Sequence, residues 1–490
     1  MGSMREGDNV SLAGWRQQLT LISWLAFATG CVVGVAKFGQ VLMTSAKGQF
    51  ETHSEGRAEM FLLTFGISKA IGNLVIGGAA DTAGRRPCMT LGWVLGAVFC
   101  VASILAPTWD VVVAADLLLG LNQAFCWSVA IFMAIDWSGP TRRAQAVGLV
   151  ETFGYSAIAL ASPLVGGVGV DGVRMLHGLL LVICLGCAFM SRFLLRETRV
   201  IASKDATVHP AAGTPSTAAG DGMGEGQFGA VVWRSGRRDD YSTVRLVWAH
   251  VSCLDGALMA CCLVGLALNF ASAFAWGAMT RWLSGLDVDN HSAAGLVLLA
   301  YSMPKGLLQL PAGAMADRRF CSCGPREFVL LGLAAISASL LCMALLTAVQ
   351  LEAQLTILLA LPLALILGCG TAVAYSPVVA CVVCRAEPSW RSAAIGTYRF
   401  WRDLGYAVGG LLLGNAVDSA KGVPWVAPLL ASMFVVVTIV VFARVYPGQQ
   451  PVAPSTSTSG VRRSDEMSPA EQSGNPGVLL AHSMPRSEMA

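Results

Sequence analysis

Apolar residues along this chain come in long unbroken runs rather than in alternation. Twelve such runs lie near 18–43, 59–80, 88–107, 111–136, 144–168, 173–195, 257–283, 292–316, 327–349, 354–383, 392–414 and 423–445. A helix of about 20 apolar residues spans a bilayer, so each run predicts one transmembrane helix. Six runs precede a polar stretch at 196–245 and six follow it. The expected fold class is an all-α membrane protein of twelve transmembrane helices, with one six-helix bundle at 18–195 and a second at 246–445. The stretch between them contains His209-Pro210 and several Gly-rich and Ser-rich segments, and reads as a flexible cytosolic linker. Trp248 to Leu254 reads as a short interfacial helix leading into the seventh span. Residues 1–17 form a polar N-terminal segment, and the tail at 446–490, rich in Ser, Pro, Gly and charge, reads as disordered.

Composition sharpens this picture. Charged residues make up 13% of the chain and hydrophobic residues 55%, against roughly 25% charged in soluble domains. That is too little charge to cover a water-facing surface. The 53 glycines suit helices that approach closely in lipid. A net charge of +3 is too small to point to nucleic acid. The 15 cysteines are scattered through apolar stretches and read as small buried side chains; Cys321 and Cys323 form one near pair, which does not make a zinc site. No metal or cofactor is expected. No Gly-x-Ser-x-Gly, phosphate loop or His-Glu-x-x-His occurs, so neither an enzyme nor an ATP-driven pump is indicated.

Placement of Lys and Arg sets the expected topology. Arg85-Arg86, Arg142-Arg143, Arg318-Arg319, Arg326, Arg385 and Arg391 fall in loops on one side, and the opposite loops hold only Lys47, Arg57, Arg174 and Lys421. Both termini are therefore expected in the cytosol. The apolar run after Gln17 is too long for a cleavable signal core, so the first helix is expected to direct insertion. Asn290-His291-Ser292 is a sequon on the far side.

Between the second and third runs stands Gly77-Gly78-Ala79-Ala80-Asp81-Thr82-Ala83-Gly84-Arg85-Arg86-Pro87. This Gly-x-x-x-Asp-x-x-Gly-Arg-Arg spacing resembles the cytoplasmic loop signature of the major facilitator superfamily. Gly77 is expected to admit a neighbouring helix, Asp81 to pair at a helix end, and Gly84 to make a tight turn. A worn copy, Gly313, Asp317, Arg318 and Arg319, stands at the matching place in the second half. Lys69 and Lys305 each precede the first Gly of their loop by eight residues, and Asn73 and Gln309 by four. Two pseudo-symmetric halves follow from this repeat. Leu121 to Ser128, Gly148 to Tyr155 and Tyr398 to Tyr406 resemble a bacterial-type branch of the superfamily. Two departures stand out. Asp116 precedes Gly120 by four where many relatives carry Arg, and Ser162-Pro163 opens the segment that reads Gly-Pro in antiporter-type members.

Ionisable groups inside spans are costly and mark function. They are Lys37, Lys69, Asp116, Glu151, Lys305, Arg399, Arg402 and Asp403. The resemblance implies that helices 2 and 11, and helices 5 and 8, meet across the halves. Counting from the loop ends at 1.5 Å per residue, Lys69 lies roughly 15 Å deep, Asp403 roughly 18 Å and Glu151 roughly 12 Å. Two pairs between the halves are expected: Lys69 with Asp403, and Glu151 with Lys305. They read either as static pins or as gates broken by a proton or a substrate, with Glu151 and Asp403 as the titratable acids. An isolated pair of this kind should survive double charge reversal. The resemblance implies a central cavity lined by helices 1, 4, 7 and 10. Its candidates are Lys37, Asn122, Gln123, Trp127, Ser128, Asn269, Trp276, Tyr375 and Ser376, joined by Arg399 and Arg402 from helix 11. If Asp116 lies too far away to neutralise Lys37, Lys37 favours an anion.

The reading is a monomeric secondary transporter of a small solute working by alternating access in a lipid bilayer. Proton coupling and an anionic substrate are open alternatives within it. A receptor or scaffold on a transporter fold, and a passive pore, are the rival classes.

Overall fold

The computed structural model describes residues 12–138, 143–198, 240–286, 291–312, 324–349, 351–386 and 390–446. The Asn290 sequon position, the second loop copy with Gly313, Asp317 and Arg318, the Cys321/Cys323 pair, most of the linker and the tail lie outside these residues.

The described chain is helical, with no strand among the described residues. Its helices are α1 (Leu12–Thr44), α2 (Glu55–Ala58), α3 (Met60–Ala83), α4 (Arg85–Leu105), α5 (Trp109–Ser138), α6 (Arg143–Phe193) and α7 (Asp240–Ala249). They continue with α8 (Gly256–Phe274), α9 (Thr280–Leu286), α10 (Ser292–Leu307), α11 (Pro325–Val349), α12 (Ala353–Arg385), α13 (Arg391–Ser419) and α14 (Val426–Val445). A π-helical turn, Ala275–Met279, joins α8 to α9. Thr280 Oγ1 donates to Ala275 O there at 2.7 Å, so the widened turn keeps a partner.

The distribution of polarity is inverted relative to a soluble bundle. Leu105, Val182, Leu358 and Val437 are exposed, whereas Lys37, Asp116, Glu151 and Asp403 are buried. Apolar side chains face outward because the surrounding medium is hydrocarbon; polar ones turn inward because only there can they find partners.

Ten helical segments among the described residues are long and apolar enough to cross a membrane. The sequence predicts twelve, and the difference lies in two places. Helix α6 runs through 51 residues, but Gly169 inside it takes φ 68° and ψ −167°, which breaks the helix between the predicted fifth and sixth runs. Helix α13 has 29 residues, but Arg399, Arg402 and Asp403 in its length make it too charged to count as an apolar span.

Most of the packing between the N-terminal and C-terminal halves of the chain comes from two long helix pairs, and α2 also packs on α13. Helix α3 packs along α13, and α6 packs along α10. Small residues permit both approaches. A Cβ on Gly66 would stand 2.4 Å from Ala407 N, and one on Gly306 would stand 3.0 Å from Tyr155 Cβ. At the end remote from Arg85, polar contacts tie the halves together. Arg281 of α9 pairs with Glu55 at 2.7 Å and donates to Thr44 O at 3.0 Å and to Thr52 O. Asp418 of α13 accepts from Ser54 Oγ at 2.7 Å, Glu55 N at 2.8 Å and Gly56 N at 2.9 Å.

Candidate functional site

Asp403 lies on α13 with no exposed surface. It accepts from Arg402 Nε at 3.0 Å, Arg402 Nη2 at 3.1 Å, Asn269 Nδ2 of α8 at 2.9 Å and Asn73 Nδ2 of α3. Lys69 Nζ of α3 stands 3.6 Å from its Oδ1. Lys69 and Asn73 are one helical turn apart, so both reach the same carboxylate.

Glu151 of α6 is paired differently from the expectation. Its carboxylate faces Arg399 Nη2 of α13 at 3.5 Å and accepts from Tyr375 OH of α12 at 3.3 Å. Lys305 of α10 donates instead to Ser272 Oγ at 3.0 Å and to Tyr301 OH at 3.2 Å. The reason is local. Tyr301 lies one turn before Lys305 on the same helix, and its hydroxyl also donates to Ser272 at 2.8 Å, so a ready acceptor pair captures the ammonium. The branched guanidinium of Arg399 reaches Glu151 while donating to Ser128 Oγ at 3.0 Å.

The contacts around both acids close into a ring. Arg402 donates to Tyr375, which donates to Glu151; Arg399 pairs with Glu151 and donates to Ser128. Ser128 donates to Asn73 Oδ1 at 2.7 Å, and Asn73 donates to Asp403, which holds Arg402. Five helices (α3, α5, α6, α12 and α13) contribute to it. Polar networks with every member paired are rigid in a low-dielectric interior. One atom is left out: Glu151 Oε2 is buried without a partner.

A narrow cavity lies beside this ring, with a central free volume of about 20 Å³. Lys37, Lys69, Lys305, Arg399 and Arg402 line it, with Gln123, Trp127 and Trp276 among the other wall residues. Tyr155 and Tyr406 complete its aromatic surface. Glu151 and Asp403 are set behind this wall, and so are Asn269 and Tyr375, which serve the ring. Asn122 is not in the wall. Its amide donates to Gly92 O at 2.7 Å and ties α5 to α4. Ser376 donates to Gln309 O at 3.3 Å. Trp127 stacks edge-on against Tyr155 at 5.2 Å.

Lys37 of α1 sits in an aromatic cage. Its Nζ lies 3.8 Å from the Tyr406 ring centre, 4.3 Å from that of Phe65 and 5.8 Å from that of Trp276. Rings in this arrangement stabilise a cation through their quadrupoles. Asp116 does not neutralise Lys37 by direct contact; its carboxylate accepts from Gln40 Nε2 at 2.9 Å. Phe65, Tyr301 and Tyr406 escaped sequence reasoning as cation partners. A signal for two of them was present, because Phe65 precedes Lys69, and Tyr301 precedes Lys305, by one helical turn.

The loop motif forms its own network. Asp81 pairs with Arg85, whose Nε also lies 3.4 Å from Asp136 Oδ2 at the end of α5. Gly84 takes φ 101°, a conformation that costs any residue with a Cβ. Glu197, placed in the linker by sequence, caps α4 by accepting from Arg85 N at 2.8 Å and Arg86 N at 3.0 Å. Thr198 donates to Asp136 at 2.6 Å. No described residue lies within 4 Å of a Cβ built on Gly77, so the close helix approach expected there is not made by any of them.

A family model described as Major Facilitator Superfamily matches residues 25–288 and, in a second match, 261–469. Among solved structures, the nucleoside transporter NupG is similar with a TM-score of 0.61 at 14% identity, over 88% of this chain and 100% of that one. A POT family transporter in complex with a thioalcohol conjugated peptide is similar with a TM-score of 0.63 at 12% identity, over 88% of this chain and 97% of that one. No curated protein gives a significant match. At these identities the likeness to solved structures is one of fold, while the family match spans most of the sequence. The apolar helices, the Gly77 to Arg86 loop and this match together place the chain in the Major Facilitator Superfamily of multi-pass membrane transporters.

Proposed function

We propose that this transporter carries a small anion by alternating access. One observation carries the reading: five basic side chains line the cavity, and Glu151 and Asp403 are buried behind its wall. Asp403 serves Arg402 and Lys69, and Glu151 serves Arg399. Among the described residues, Lys37 and Lys305 have no carboxylate at ion-pair distance. A buried cation without a counter-charge is expensive, so an entering anion supplies what the protein withholds.

A space of about 20 Å³ holds water and no organic solute. Binding therefore requires the halves to separate, and α3/α13 and α6/α10 are the seams along which they do so. Division of α6 at Gly169 and inclusion of α13 as a charged span support twelve transmembrane segments. These form two bundles at 18–195 and 246–445, with termini in the cytosol as the arginine-rich loops require. Separation breaks the Lys69–Asp403 and Arg399–Glu151 contacts, so these pairs act as gates rather than pins. The Asp81–Arg85 loop braces the cytosolic side.

Thermal unfolding of the purified protein against a panel of carboxylates, inorganic phosphate, sugars, nucleosides and amines tests this. Anions alone should stabilise it, and Lys37→Gln and Lys305→Gln should each remove the effect. Stabilisation by amines or neutral solutes, with anions inert, overturns the reading. Counterflow of the stabilising anion in vesicles then separates a carrier from a pore. A pH gradient that leaves the flux unchanged removes proton coupling.

A further inference from the structure

Within the closure formed by Arg281 and Asp418 lies a carboxyl group that none of the networks above uses. Glu59 stands at the start of α3 and is 1% exposed. Both of its carboxyl oxygens are buried, and neither has a hydrogen-bond partner. The group lies flat on the π-helical turn between α8 and α9. A Cβ on Gly277 would stand 2.7 Å from its Cδ and about 3 Å from each oxygen. Gly410 of α13 packs against its backbone carbonyl, where a Cβ would stand at 3.1 Å. The site is thus built from both halves of the chain, and glycine at 277 makes the room.

The charged groups facing Glu59 are Glu55 of α2, Arg281 of α9 and Asp418 of α13. Arg281 is engaged by Glu55 and the carbonyls of Thr44 and Thr52. Asp418 is engaged by Ser54 and two backbone amides. The one cation is committed, and the other two groups are acids. An ionised Glu59 would be a third negative charge with no donor, buried where charge is most costly.

We propose that Glu59 is a proton-binding site that exists only while this end of the transporter is closed. Closure carries the carboxyl into the seam in its neutral form. Opening parts Gly277 and Gly410 from it, lets water reach it, and releases the proton to that side of the membrane. One proton is therefore exchanged per closing and opening of this end. Closed and open states differ by one bound proton, so raising the pH favours opening. Over the pH range in which the closed state holds the proton and the open state does not, each pH unit changes the ratio by about tenfold. The idea rests on alternating access and is independent of the charge of the substrate.

Hydrogen–deuterium exchange of the full-length protein tests it, with exchange times scaled for the intrinsic effect of pH. Amides in 44–59, 275–286 and 410–419 should lose protection as pH rises from 5 to 8, on the order of tenfold per unit over part of that range. Glu59→Gln should hold these segments protected at every pH, and Glu59→Asp should keep the pH response. A flat wild-type profile overturns the proposal even if Glu59→Gln does not fold, and so does an unchanged profile in Glu59→Gln. Anion stabilisation measured at one fixed pH stays intact if this proposal alone fails, and vanishes if the anion reading fails.

Discussion

Lys69 and Asp403 form an ion pair, but the structure makes them unequal partners. Asp403 is the only carboxylate at ion-pair distance from Arg402 and Lys69 among the described residues, and Asn73 and Asn269 also donate to it. Asp403→Asn keeps the shape and removes the charge, leaving two buried cations uncompensated. Breaking a buried pair from one side costs about 3–5 kcal/mol. Lys69→Gln removes a 3.6 Å contact, while Asp403 keeps both bonds from Arg402 and both amides. The expected cost is about 1 kcal/mol, that of one ordinary polar contact. Thermal unfolding followed by tryptophan fluorescence should therefore show a fall in Tm for Asp403→Asn at least twice that for Lys69→Gln. Double charge reversal, which would rescue an isolated pair, should fail, because a lysine at position 403 stands beside Arg402. Equal losses from the two single variants, or recovery in the double reversal, would refute this account.

Glu197→Ala should lower stability by about 0.5–2 kcal/mol by removing the cap of α4, measurable by unfolding at pH 7. Burial tends to raise the Asp255 carboxyl, but the amides of Leu258 and Ala257 and the Arg385 guanidinium hold it below the usual aspartate range. Its folded form thus binds a proton more weakly than its unfolded form. The contribution is complete above pH ~3.9 and fades as pH falls through the lower folded value. Asp255→Asn should be less stable than wild type at pH 7, and the gap should close towards pH 3 in a pH series of Tm. Gly66→Val should force α3 away from Ala407 and lower Tm by the equivalent of about 1–3 kcal/mol, typical of overpacking.

Several parts of the site were legible in the sequence because their signal is local. Lys37, Lys69, Lys305, Arg399 and Arg402 announce themselves as charges within apolar runs, and all five line one cavity. Gln123, Trp127 and Trp276 join them there. Asn122 looked equally suitable, yet it faces the carbonyl of Gly92. A rotation of about 100° per residue separates neighbours on a helix, and hydropathy does not say which face meets the cavity. Glu197 stood in a polar stretch with nothing to distinguish it, because its partners at Arg85 and Arg86 are more than a hundred residues away.

The membrane class, the order of the apolar runs and the loop motif between the second and third of them were already legible in the primary structure. Each is decided within about twenty consecutive residues, by the free energy of moving apolar groups out of water and by the backbone demands of a turn. Tertiary structure alone decided that Arg399, and not Lys305, answers Glu151, that Tyr406 closes the cage on Lys37, and that Glu59 is sealed against Gly277. Those outcomes depend on the depth and rotation of helices distant in the chain, where a shift of a few ångströms changes which charge has a partner.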